Sequence, residues 1–125
     1  MNANKFREEL VKIMPGYKWT VSRPPKLIMA LGDGSVPYLE ATGVQTSGYN
    51  RTSTLSVIRN NRDGNITYSV KSSGFGLKSP WMAERTEGTL TRALRALQEH
   101  YEHMAQKYSA HAHDLQLGRK KEDQP

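Results

Sequence analysis

Thr54-Leu55-Ser56-Val57-Ile58-Arg59-Asn60-Asn61-Arg62-Asp63-Gly64-Asn65-Ile66-Thr67-Tyr68-Ser69-Val70-Lys71 is the stretch that decides the fold. Thr54 to Arg59 and Ile66 to Lys71 are rich in β-branched and alternating side chains, which favour strands. Between them, residues 60–65 contain Asp63-Gly64, a dipeptide that accepts the left-handed backbone of a tight hairpin turn. Leu55 and Val57 would share one face, continued on the partner strand by Ile66, Tyr68 and Val70. The other face would carry Thr54, Ser56, Ile58, Thr67, Ser69 and Lys71. Small hydroxyls are good outward-facing strand residues, which is the simpler account of that face. With Lys71 among them, they also make a surface that could hold a ligand.

Working outward, residues 38–45 read as a further strand, with Tyr38, Glu40, Thr42 and Val44 alternating with Leu39, Ala41 and Gly43. Neither set is purely apolar, so the alternation leaves the orientation open. Tyr17, Trp19 and Val21 alternate with Lys18, Thr20 and Ser22 and predict a first strand. Before it, Phe6, Leu10, Ile13 and Met14 follow the i, i+4, i+7, i+8 spacing of a helix over 4–14. Asn4 is placed to cap it, Glu8 and Glu9 suit its early turns, and Pro15-Gly16 ends it. Residues 22–37 read as loop, punctuated by Arg23-Pro24-Pro25 and Gly32-Asp33-Gly34-Ser35. The run Leu27-Ile28-Met29-Ala30-Leu31 inside that loop fits either a short buried strand or an exposed insertion.

The last element is a helix from about Leu90 to Leu115, with Thr89 as its cap. Leu90, Leu94, Leu97, Tyr101, Met104, Tyr108, His111 and Leu115 step by four and three in alternation, a stripe over three heptads long. The stripe fits a helix lying across one face of the sheet, and it also fits a dimer seam. Some 26 helical residues would measure roughly 39 Å. A small sheet cannot cover that length, so the C-terminal turns are expected to project, and a homodimer through this helix is possible. The expected fold is α+β: a small antiparallel sheet of three to four strands packed against a long C-terminal helix and a short N-terminal helix. Residues 1–115 would form one domain, with 23–36 as a loop or insertion and 116–125 as a flexible charged tail.

Charge points to the kind of partner. The chain has 18 Lys and Arg against 12 Asp and Glu, a net charge of +6. Residues 41–80 carry Arg51, Arg59, Arg62, Lys71 and Lys78 against Asp63 alone, and so contribute +4. The preceding forty residues contribute +2 and the last third nothing. A strand-rich segment with this excess suggests a basic sheet that attracts phosphate or an acidic protein.

Two segments in the same region echo each other. Val44-Gln45-Thr46-Ser47-Gly48-Tyr49 resembles Val70-Lys71-Ser72-Ser73-Gly74-Phe75, and a base follows each, Arg51 and Lys78. Glycine frees the backbone to turn, and successive N–H groups in such turns can meet phosphate oxygens. Tyr49 and Phe75 would stack on bases if exposed; otherwise they plug the edge of the core. Trp81, beside Pro80, is read either as a stacking residue or as an anchor beneath the long helix.

Other chemistry lacks its residues. The chain has no cysteine, hence no disulfide framework and no thiolate zinc site. His100 and His103 with Glu99 lack a third fixed ligand, so no metal is expected. There is no Walker sequence, no Gly-x-Gly-x-x-Gly opening a helix and no Gly-x-Ser-x-Gly elbow. No cofactor and no enzymatic activity are expected. The chain has no apolar run long enough to span a membrane and no apolar leader, which points to the cytoplasm.

The order of helix, strands, hairpin and long helix is similar to the α-β-β-β-α layout of double-stranded RNA-binding domains. Those domains begin their last helix with Lys-Lys-x-x-Lys, where this chain has Thr89-Leu90-Thr91-Arg92-Ala93-Leu94-Arg95. The stretches Phe6-Arg7-Glu8-Glu9-Leu10-Val11-Lys12-Ile13-Met14-Pro15-Gly16-Tyr17 and Arg92-Ala93-Leu94-Arg95-Ala96-Leu97-Gln98-Glu99-His100-Tyr101 resemble small proteins of tailed phages and prophages. That resemblance implies an accessory role in a bacterial cytoplasm.

The expected function is therefore non-enzymatic binding of DNA or RNA. Arg51, Arg59, Arg62, Lys71 and Lys78 would neutralise phosphate, with Tyr49 and Phe75 as stacking platforms. The alternative is a protein that inhibits a host nuclease or defence complex, in the manner of an anti-CRISPR, by occupying an acidic or nucleic-acid-binding surface.

Overall fold

The computed structural model describes residues 1–22, 38–76 and 80–119. The chain is α+β. Helix α1 (Ala3–Ile13) precedes strands β1 (Lys18–Val21), β2 (Tyr38–Ser47), β3 (Asn50–Arg62), β4 (Asn65–Ser73) and β5 (Ala83–Glu87), and helix α2 (Leu90–Gly118) closes the chain. The strands form one antiparallel sheet in sequence order.

The decisive hairpin is tighter and longer than its sequence suggests. Asp63 and Gly64 both have positive φ, 52° and 86°, as a two-residue type I′ turn requires. The Asn61 side chain accepts the Gly64 N–H at 3.0 Å. Because two residues suffice for the turn, Asn60, Asn61 and Arg62 stay in the ladder, opposite Thr67, Ile66 and Asn65. At the other end, β2 and β3 meet through Gly48-Tyr49, with Gly48 at φ 62°.

Cross-strand register sorts the two faces. Trp19, Gly43, Leu55, Ser72 and Ala83 form one row across the sheet, and Val21, Ala41, Val57, Val70 and Arg85 form the next. These rows face the helices. They supply Trp19, Ala41, Leu55, Val57 and Val70 to a single core, joined by Leu39 and Tyr68 from the row beyond and completed by Phe6 and Leu10 of α1 and by Leu90, Ala93 and Leu97 of α2. The orientation of β2 is thereby settled: Leu39, Ala41 and Gly43 point inward. Burying each large apolar side chain contributes about 1.5–3 kcal/mol.

The sheet has five strands, against the three to four expected. The additional edge strand, Ala-Glu-Arg-Thr-Glu, has no apolar alternation to announce it. Its charges suit an edge, where they discourage pairing with another chain. The cap of α1 is Asn2, whose side chain accepts the Lys5 N–H at 2.9 Å, and not Asn4, which lies within the first turn. Thr89 caps α2 as its sequence predicts, accepting the Arg92 N–H at 3.2 Å. Helix α2 runs through Gly118, three residues into the segment expected as a tail. The Leu27–Leu31 run lies outside the described residues.

Candidate functional site

The sheet and helices divide the expected binding residues among several places. Arg59 is a correction: it lies on the helix side of β3 and is only 6% exposed. Its Nε donates to the Tyr68 hydroxyl at 3.2 Å, and its guanidinium carbon stands 6.0 Å from that ring's centre. Arg59 shares the parity of Leu55 and Val57, which point inward; a register shift opposite Gln45 and Thr46 breaks that alternation before Arg51. Arg62 is exposed at the β3–β4 turn, at the opposite end of the sheet from Tyr49. Lys71 lies on the far face, in the row Thr20, Thr42, Ser56, Lys71 and Glu84. That face is not an open basic surface at its centre, because Thr54, Ser56 and Ser73 are buried. Lys78 lies outside the described residues.

Tyr49, Arg51 and Phe75 lie at one end of the sheet, where β2 turns into β3 and β4 finishes. Tyr49 is fully exposed at its turn, and Phe75 is 68% exposed. The two echoed segments are joined here, since the Gly76 N–H donates to the Arg51 carbonyl at 2.8 Å. Gly76 has φ 104°, a backbone that a side chain would strain. The Met82 N–H donates to the Ser72 carbonyl at 2.7 Å and returns the chain to the same end. This places Trp81 beside Lys71, with the ammonium 4.6 Å from the ring centre. Trp81 is 48% exposed and is not beneath the long helix. Lys18, exposed and opposite Val44, belongs to the same end through β1.

Lys18 is absent from the residues expected to bind, and stacking is only one of the two roles the sequence offers Trp81. The signal for Trp81 was its position after Pro80 in a stretch without apolar periodicity, which a core anchor would normally show. Lys18 alternates with core-facing Trp19, so its outward direction was readable, but its place toward this end of the sheet depends on a register of paired strands.

An apolar groove of about 480 Å³ opens at this end on the helix side. Met14 and Tyr17 form one wall, Leu94, Leu97 and Tyr101 the other, and Leu55 lies in the floor. Four of its hydroxyls are paired: Tyr17 with Ser53 at 2.7 Å, and Tyr101 with Ser72. The Arg85 guanidinium of β5 donates to His100 Nδ1 of α2 at 3.0 Å, which requires a lone pair on that nitrogen. Among the described residues, no three His, Asp or Glu stand close enough to share a metal ion, and no helix is long and apolar enough to cross a membrane. Compared with known proteins, the chain matches no family model, no curated protein and no solved structure.

Proposed function

We propose that this protein is a non-enzymatic accessory protein, of the phage type its sequence resembles, that binds single-stranded nucleic acid at the end of the sheet bearing Tyr49, Phe75 and Trp81. The observation that carries the reading is that Tyr49, Phe75 and Trp81 are exposed toward one end of the sheet, with Lys71 against Trp81 and with Arg51 and Lys18 on strands that reach that end. Every base has a face that can stack on an aromatic ring, and the neighbouring cations neutralise phosphate. Stacking on side chains needs unstacked bases, which favours single strands over a duplex. Few acids oppose this end; Glu84, across from Lys71, is the nearest in register.

The test is fluorescence anisotropy with labelled single-stranded DNA, single-stranded RNA and duplexes over a salt series. The reading predicts preference for single strands, with affinity falling steeply as salt rises. Replacing Tyr49 and Phe75 together with Ser is expected to weaken binding by about 2–6 kcal/mol in total, since each stacked base contributes about 1–3 kcal/mol.

Met82 favours a second reading. It is 61% exposed next to Trp81, and exposed Met and Trp side by side are typical anchors of protein interfaces. The same end would then occupy a protein partner, as an inhibitor of a nuclease or defence complex. Saturable binding to such a partner without binding to any nucleic acid selects this reading.

A further inference from the structure

Helix α2 is about 43 Å long, and only its first half is packed. Leu90, Ala93 and Leu97 are buried, and Leu94, Tyr101 and Met104 are partly so. From Ala105 to Gly118 every residue is exposed. The apolar stripe nevertheless continues without a break through Tyr108, His111 and Leu115, leaving Tyr108 66% and Leu115 61% exposed. An isolated helical segment of this length is marginal in water, so a stripe of this kind needs a covering surface.

We infer that the occupant is a second copy of this chain, paired antiparallel along the projecting half of α2. The argument is charge complementarity. Apart from histidines, the segment from Met104 to Gly118 holds two charged side chains, Lys107 and Asp114. They are seven residues apart and therefore flank the stripe on the same side. In an antiparallel pair, layers form between Tyr108 of one copy and His111 of the other, and between Met104 and Leu115. That register sets Lys107 beside the other copy's Asp114 and repeats the contact by symmetry. The opposite flank carries Ala105 and Ala112, small enough for close approach. A parallel pair instead brings the two lysines to one level and the two aspartates to another, and sets Lys107 against the other copy's Ala112. The segment is self-complementary in one orientation only, and the dimer does not depend on what the sheet end binds.

Light scattering coupled to gel filtration of the full chain tests this. The wild type is expected to move from 14.1 kDa towards twice that mass as concentration rises. Tyr108→Glu, at an exposed position, is expected to stay monomeric. Lys107→Asp alone and Asp114→Lys alone each convert both contacts to repulsion and are expected to weaken self-association about tenfold. Mixing these two variants is expected to restore association as a mixed dimer, and so is combining both changes in one chain. A wild type that remains monomeric at every concentration overturns the inference. Charge variants that self-associate like the wild type, with no preference for each other when mixed, overturn it equally.

Discussion

Trp19 occupies the space above Gly43, its partner across β1 and β2. A methyl group on Gly43 would stand 2.7 Å from Cζ3 of the indole, well inside contact distance. The indole is held there by its Nε1, which donates to the Met14 carbonyl at 3.1 Å, and by Tyr17, whose ring centre is 5.9 Å away. Glycine in a strand is the cost of seating the largest side chain of the core. Gly43→Ala is expected to destabilise the fold by about 1–3 kcal/mol through overpacking. Urea unfolding followed by tryptophan emission measures it; an unchanged midpoint would contradict this packing.

Arg59 and Arg51 are expected to separate stability from binding. Arg59→Gln removes a buried hydrogen bond to Tyr68 and should destabilise by about 1–2 kcal/mol, while changing oligonucleotide affinity less than about twofold. Arg51→Gln should do the reverse, weakening binding and reducing its salt slope by about one. Urea melts and anisotropy titrations on both variants check the contrast, and a loss of affinity confined to Arg59→Gln would return the site to the sheet.

The β3–β4 turn offers a local test. Gly64 has φ 86°, so Gly64→Ala should cost about 1 kcal/mol or more. Asp63→Asn preserves a side chain that tolerates the left-handed region and should be near neutral. Equal effects of the two changes on the urea midpoint would contradict the turn type.

Tyr38 titrates above the usual tyrosine value. The first cause is its hydrogen bond to Glu40 Oε2 at 2.8 Å, followed by partial burial and the carboxylate's charge. The protonated phenol is the form the fold favours. The pair's contribution to stability is therefore complete below the unfolded tyrosine's pKa near 10 and is lost as pH rises through the higher folded value. Glu40→Gln should lower the Tyr38 pKa towards 10, as read from its ring carbon in an NMR titration. A Tyr38 pKa indifferent to the change would remove the carboxylate as the cause.

Much of the fold was legible because its signals are local. Alternation in Leu55, Val57, Tyr68 and Val70 gave the hairpin and its inward face, and the four-three stepping from Leu90 gave α2. Edge strand β5 escaped because an edge needs no apolar alternation. The binding end was only partly legible. Exposed Tyr49 and Phe75 follow glycines that announce turns, but the link between the two turns is a backbone bond from Gly76 to Arg51, which no side chain encodes. Arg59 misled for a related reason. Its charge argued for solvent, while its parity with Leu55 and Val57 argued for the core, and the Tyr68 hydroxyl decided for the core.

The most direct measurement of the proposed function is tryptophan emission during titration with a single-stranded oligonucleotide. Trp19 is buried and serves as an internal reference, whereas Trp81 is half exposed at the proposed site. Stacking of bases at this end predicts quenching of the Trp81 component, reversed by added salt and abolished in Trp81→Phe. Emission unchanged at low salt, together with unchanged anisotropy of the labelled strand, would contradict nucleic-acid binding at this end of the sheet.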